Sequence, residues 1–394
     1  MDDLIAIRAA QIMTPFENIK PGIVLIKGEK IAAVGLSTQI HIPDGTKLID
    51  VGDKIVVPGF IDTHVHGRDG HRFGEDPEST TRLCHSIAST GTTSLLPTLG
   101  SWSGFHHMLD DIRVVRHVML EGKDGAEIVG IHMEGPYLSG EDIARGSQPV
   151  TAMRQPSVDE LNEMIEASEG TIRKMTIAPE LDGALEVIRE MAAVGIVPSA
   201  GHTTATYEIM MEAVEAGLSS ACHTFNGMIP LHHRDPGVLG AVLTCDEINA
   251  ELIPDCQHVY PVAMQILWRC KGADHMHLVT DNTYWAGLPN GAYEWSEGRT
   301  VIKEDQRAYV QGGTLAGSVA TMNFDVNNMV RHVGCSLLEA VKMASLNPAL
   351  VIGIADRKGS LEPEKDADLV VIDNDVNVYL SMVKGQEVFV AQDF

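Results

Sequence analysis

The chain has 394 residues, 44% of them hydrophobic, and its 29 Lys+Arg against 54 Asp+Glu leave a formal charge of −25. So acidic a surface repels a phosphate backbone, which excludes nucleic acid as an expected partner; an anionic small molecule would need a local basic pocket. No run reaches the roughly 18 apolar residues of a membrane span, and Met1-Asp2-Asp3 offers no basic-then-apolar leader, so no membrane contact is expected.

The six cysteines, Cys84, Cys222, Cys245, Cys256, Cys270 and Cys335, form no CxxC pair and are too sparse for a disulfide framework. That suits a reducing, cytoplasmic compartment, and the thiols read as small buried hydrophobes.

Residues 1–57 alternate β-type runs with turns: Leu4–Ile7, Gly22–Ile26, Lys30–Gly35 and, after a turn-like Asp50-Val51-Gly52-Asp53, Lys54–Val57. Small antiparallel strands are expected there. Residues 358–394 return to the same texture in Ala367–Asp373 and Val376–Leu380. Both chain ends are therefore expected to build one small β-sandwich domain.

Over 58–357, eight strand-like runs alternate with helical patterns: Phe60–Gly67, Thr92–Thr98, Ile128–Met133, Lys174–Pro179, Ile196–Gly201, Ser219–Phe225, Asn249–Asp255 and Met276–Asp281. Pro156–Ser168, Gly183–Val194 and Ala205–Ala216 are among the helical segments. This predicts an α/β fold, a TIM-type (β/α)8 barrel whose chemistry sits where strands end. The long segment 282–317, ending Gly312-Gly313-Thr314-Leu315-Ala316-Gly317-Ser318, is expected to be a lid or binding element.

The first run, entered through Val57-Pro58-Gly59, ends in His64-Val65-His66. Side chains alternate along a strand, so both imidazoles point the same way. Alone, the pair fits either half a metal site or two histidines on a half-exposed strand. The third run ends in His132-Met133-Glu134-Gly135-Pro136, the fifth in Gly201-His202-Thr203, the sixth in His223-Thr224 and the eighth in Thr280-Asp281. Satisfied core polars would scatter along strands; ligand-type residues at five strand ends instead predict a divalent metal site on one rim. His132 lies a layer deeper than Glu134 and reads as structural. Cys222 has the opposite parity to His223 and is expected to face the outer helices.

These motifs resemble the amidohydrolase superfamily, and within it the N-acetylglucosamine-6-phosphate deacetylases. The likeness covers nearly the whole chain: Pro58–Gly67, His132–Pro136, Gly201–Thr203, His223–Met228, Arg234-Asp235-Pro236-Gly237, Val279–Asp281 and a closing stretch from Gly359 that ends Ala367–Asp373. The His-x-Glu-Gly-Pro segment narrows it to the deacetylases. Dihydroorotases and hydantoinases bridge two metals with a carboxylated lysine at the end of strand four. Here that end reads Ala178-Pro179-Glu180, with Lys174 starting the strand, which disfavours the lysine-bridged classes.

The resemblance implies a metal-dependent amide hydrolase that removes the acetyl group of an N-acetylated amino-sugar 6-phosphate, N-acetylglucosamine-6-phosphate first. It implies Glu134, His202 and His223 as ligands of a divalent ion, zinc first. His64 and His66 are available for a second, giving one or two ions per chain. Asp281, beside the metal, would move a proton from water to the leaving amine. For the phosphate it implies the backbone amides of Asn226 and Gly227, Arg234 with its planar fork, and His258 contributed by a neighbouring subunit, hence a homodimer. Leu315 is expected to line the sugar pocket.

One departure stands out: where those deacetylases carry Gly-Ala-His, this chain has Gly146-Ser147-Gln148. That histidine helps to polarise the acetamide carbonyl, so Gln148 would offer a neutral amide donor in its place. Smaller departures fall in Phe225–Met228, Asp255–His258 and Thr280–Thr283. Two competing readings are the same metal site acting on another N-acyl sugar or a cyclic amide, and a non-catalytic metal-binding scaffold. An intact Asp281 speaks against the scaffold.

Overall fold

In a computed structural model of the chain, which describes residues 4–100, 102, 104–122, 125–295, 298–313, 315–392 and 394, eight parallel strands follow one another around a central axis. Met1-Asp2-Asp3 and Thr314 lie outside the described residues. The strands are β1 (Phe60–Val65), β2 (Thr92–Gly100), β3 (Ile131–Glu134), β4 (Ile172–Ile177), β5 (Val197–Ala200), β6 (Ser220–Ala221), β7 (Asn249–Leu252) and β8 (Met276–Leu278). Each pairs in parallel with the next. The ring closes just past β8, where Val65 bridges Asn282 and the Asp281 amide donates to His64 O at 2.9 Å. This is the TIM-type barrel.

The helices between strands bury one face against the barrel. In Val158–Ser168 the Ser157 side chain accepts from the Glu160 amide, and Leu161, Met164, Ala167 and Ser168 are buried at helical spacing. Pro156 therefore lies before the helix. Thr206 caps Tyr207–Glu215 in the same way.

Several strands stop earlier than their apolar runs suggest. Of Ser219–Phe225 only Ser220–Ala221 is strand, and the reason is at the site. His202, His223 and Asp281 have φ of +47°, +25° and +48°. A left-handed non-glycine residue costs about 1–2 kcal/mol, and such conformations persist only where the surroundings impose them. Each turns the chain out of the strand where a polar side chain enters the barrel mouth.

The two chain ends share a β-sandwich. Leu369–Ile372 pairs with Ile55–Pro58, which pairs in turn with Gln11–Met13. A second sheet holds Leu4–Ala9, Gly22–Lys27, Lys30–Leu36 and Lys47–Asp50. Ile7, Ile12, Val24, Ile26, Val56, Leu369 and Val371 pack between the sheets. Within 282–317, Gly291–Glu294, Thr300–Glu304 and Arg307–Val310 form a three-stranded antiparallel sheet over Trp285 and Ala286. Among the described residues no helix is long and apolar enough to cross a membrane.

Candidate active site

Four imidazoles meet at the barrel mouth, and each is held by its Nδ1. That atom lies 3.1 Å from Thr98 O in His66, 2.8 Å from Ala144 O in His202 and 3.1 Å from Asn226 O in His223. A carbonyl only accepts, so Nδ1 carries the proton and the Nε2 of the neutral ring is left as a lone pair. His64 Nδ1 is 3.3 Å from Glu251 Oε2.

The four Nε2 atoms converge. They are 3.2 Å apart between His64 and His66, and 3.1 Å apart between His202 and His223. Glu134 stands between the pairs: its Oε1 is 3.1 Å from His202 Nε2, 3.2 Å from His223 Nε2 and 3.4 Å from His64 Nε2, and its Oε2 is 3.6 Å from His66 Nε2. Asp281 Oδ1 is 3.2 Å from His66 Nε2 and 3.5 Å from His64 Nε2.

Donors about 2.0–2.1 Å from a tetrahedral ion stand roughly 3.3 Å from one another, and the observed spacings scatter around that value. Lone pairs so close repel unless a cation lies between them. Among the described residues, three sets of ligand atoms lie within reach of one another; His64 with His132 and Cys222 is one, and the two at the mouth that fit a divalent ion are His64 with His66 and Glu134, and Glu134 with His202 and His223. Glu134 belongs to both. All five side chains are buried. Burial alone would raise the Asp281 carboxyl, but when a proton takes the cation's place on Nε2, the charge of His64 and the hydrogen bond from His66 outweigh it and bring it down to about 2. Burial likewise opposes ionisation of Glu134, yet His202, His223 and His64 hold it well below its ordinary range. Both carboxylates are charged at neutral pH.

The wider sequence agrees with this geometry. The amidohydrolase family profile matches residues 55–388. The chain belongs to the amidohydrolase family. N-acetylglucosamine-6-phosphate deacetylase of Bacillus subtilis (strain 168) is 34% identical, over 100% of this chain and 99% of its own length. N-acetylgalactosamine-6-phosphate deacetylase of Escherichia coli O157:H7 is 35% identical over 84% of this chain and 87% of its own. Among solved structures, a mutant of N-acetyl-D-glucosamine-6-phosphate deacetylase from Mycobacterium smegmatis, in complex with N-acetyl-D-glucosamine-6-phosphate, superposes with a TM-score of 0.90. It is 32% identical, covering 98% of this chain and 100% of that one.

Around the cluster of this amidohydrolase, the other expected residues are placed unevenly. Gln148 Nε2 donates to Glu134 Oε2 at 2.8 Å, and Trp102 Nε1 donates to Gln148 Oε1. The amide expected to face a substrate carbonyl is thus engaged with Glu134. The Asn226 amide, expected for phosphate, instead donates to His223 O at 3.0 Å. At Gly227, φ is +59° and a Cβ would meet Ala144 O at 2.7 Å and His202 Nδ1 at 3.0 Å; only glycine lets this loop pass so close to His202. Arg234 sits on an exposed loop, its Nη1 2.8 Å from His233 Nε2. Leu315 is half-buried and bridges Tyr309.

Two expectations are corrected. His258 does not reach out to a neighbour: its Nδ1 is 2.7 Å from Asp255 Oδ2 in the same chain, its side chain is 8% exposed, and the charges of Asp281 and His223 act on it. It is folded inward, against Asp255 of its own chain. Cys222 does not face the outer helices: it is fully buried, with Sγ 3.4 Å from His64 Nδ1. Parity fails because regular pairing ends at Ala221 and His223 turns left-handed. His132, fully buried, bonds Thr98 Oγ1 at 3.2 Å and Thr176 Oγ1 at 2.8 Å, spanning β2 to β4.

Sequence reasoning passed over Trp102, Lys174 and Glu251 as parts of the site. The last two were visible only as charged residues inside apolar runs, where an ion needs a partner.

Proposed function

We propose that this amidohydrolase hydrolyses the acetamide of N-acetylglucosamine-6-phosphate, releasing acetate and the amino-sugar phosphate. The observation that carries the reading is the convergence of four Nε2 lone pairs on two ionised carboxylates, Glu134 and Asp281, in a chain whose full-length relatives bear that activity in their names. Glu134, His202 and His223 would hold one divalent ion, and His64 and His66, with Glu134, a second. Nitrogen and oxygen donors at near-tetrahedral spacing favour zinc. When bound, such an ion makes water acidic and polarises the amide carbonyl.

Asp281, ionised and beside His64 and His66, takes the proton of the attacking water and returns it to the amine nitrogen as the C–N bond breaks. Gln148 and Trp102 steady Glu134 from above. Arg234, the Gly227 amide and His258 recognise the 6-phosphate, and Leu315 borders the sugar. Six free thiols support a reducing, cytoplasmic setting. A homodimer is supported by the apolar exposure of Tyr260, Val262 and Ile266 at 75%, 56% and 46%, the last two one turn apart on the helix Pro261–Lys271. Light scattering checks it.

Protein stripped of metal should lose acetate release and regain it with a divalent ion; metal-independent release would overturn the proposal. The similarity to the E. coli enzyme favours a second reading, the N-acetylgalactosamine epimer. Comparing kcat/KM for the two 6-phosphates decides between them.

A further inference from the structure

Beneath the ligand cluster lies a second layer of charge that the proposed reaction leaves unused. Glu251 on β7 and Lys174 on β4 are both fully buried, and Lys174 Nζ pairs with Glu251 Oε1 across the barrel interior. A buried pair whose only task is cohesion can often be exchanged for apolar side chains of similar volume without loss. Its presence therefore calls for a reason in its surroundings.

The other oxygen of Glu251 supplies one. Oε2 is 3.3 Å from His64 Nδ1 and 3.1 Å from the backbone nitrogen of His223. Facing an ammonium, the carboxylate is an acceptor only. It demands a proton on His64 Nδ1 and so directs the Nε2 lone pair to Glu134, His66 and Asp281. Cys222 Sγ is 3.4 Å from the same Nδ1. His277 is satisfied elsewhere, by Thr63 Oγ1 at 3.0 Å and Asn249 Oδ1 at 2.5 Å, which leaves Lys174 as the counter-charge of Glu251. The contrast with the other ligands is informative. His66, His202 and His223 are oriented by backbone carbonyls, whereas His64 is oriented by a side chain. The same Glu251 oxygen ties down the left-handed turn at His223, so one carboxylate contacts a member of each ligand group.

We propose that Glu251, neutralised by Lys174, is a positioning residue for the metal centre: it fixes His64 as the Nδ1–H tautomer and so builds the group of His64 and His66. The inference rests on the metal reading given under Proposed function.

The test uses the full chain and zinc. Two double variants separate positioning from packing: Glu251→Met with Lys174→Met removes the acceptor, and Glu251→Gln with Lys174→Met keeps a neutral one. By chelator competition the methionine pair should bind zinc about 10–100-fold more weakly than the parent, the usual effect of losing the outer hydrogen-bond partner of a ligand histidine. The glutamine version should stay within a few-fold of the parent. Equal zinc affinity in the two variants would overturn the inference. Nitrogen-15 NMR of the zinc-loaded parent gives an answer even where a variant fails to fold: His64 should show a protonated Nδ1, and a bare Nδ1 overturns the proposal. A parent that holds no zinc would instead remove the metal reading, and this inference with it.

Discussion

Glu134 Oε1 lies 3.1 Å from His202 Nε2, and the same oxygen is 3.4 Å from His64 Nε2 in the other ligand group. One carboxylate oxygen thus lies within reach of both. Glu134→Gln should weaken metal binding by more than the roughly 10–100-fold that losing an outer partner costs, and should empty both groups together. Metal analysis after dialysis checks this; a variant that keeps its full metal content would contradict the shared role.

On the proposed reading, the group of His64 and His66 should be separable. His64→Ala should lower the metal content by one ion per chain, with Glu134, His202 and His223 still holding theirs. If content and rate are both untouched, only the latter group binds metal.

Asp281 is assigned to proton transfer and not to holding the metal. Asp281→Asn should therefore cut kcat by about 10²–10⁴-fold while leaving zinc content near the parental value. Loss of zinc in step with loss of rate would make it a ligand instead.

Arg234, exposed beside His233, should matter only to substrates with a phosphate. A charge-assisted hydrogen bond contributes about 1.5–3 kcal/mol, so Arg234→Ala should raise KM for the 6-phosphate by about 10–100-fold and leave the unphosphorylated sugar unchanged. Steady-state kinetics on both sugars decides.

Glu127, at the barrel edge, accepts from Arg357 Nη1 and Nη2 at 3.2 and 3.1 Å and pairs with Lys358 Nζ at 2.6 Å. Burial raises its pKa, but the charge of Lys358 and the bonds from Arg357 outweigh it and bring it to about 2, against an ordinary 4.5. A carboxyl depressed by folding adds stability that is present above pH 4.5 and is lost as pH falls from there towards 2. At about 1.4 kcal/mol per pKa unit this is on the order of 3–4 kcal/mol. In denaturant unfolding, Glu127→Gln should be clearly less stable than the parent at pH 7 and close to it near pH 2.5. A gap that does not narrow would count against the pairing.

The barrel was legible because eight apolar runs alternate with helical patterns, and the ligand-type residues were legible because they sit where those runs end. His64, His66, Glu134, His202, His223 and Asp281 each follow or close such a run, and a barrel brings strand ends together whatever the loops do. Less could be read of strand length, since the left-handed turns at His202, His223 and Asp281 leave no mark in composition. Those turns also defeated the parity argument for Cys222.

Residue types and their order along the chain thus determined the fold class and the membership of the cluster. The tertiary structure alone decided how each member is aimed. An imidazole presents Nε2 only if something else takes its Nδ1 proton, and the acceptors here, Thr98 O for His66, Ala144 O for His202, Asn226 O for His223 and Glu251 for His64, come from other loops or strands in three cases out of four. The inward fold of His258 onto Asp255 and the engagement of Gln148 with Glu134 follow the same rule. Hydrogen-bond partners are set by which backbone and side-chain atoms packing brings within about 3 Å, and that proximity is a property of the folded chain.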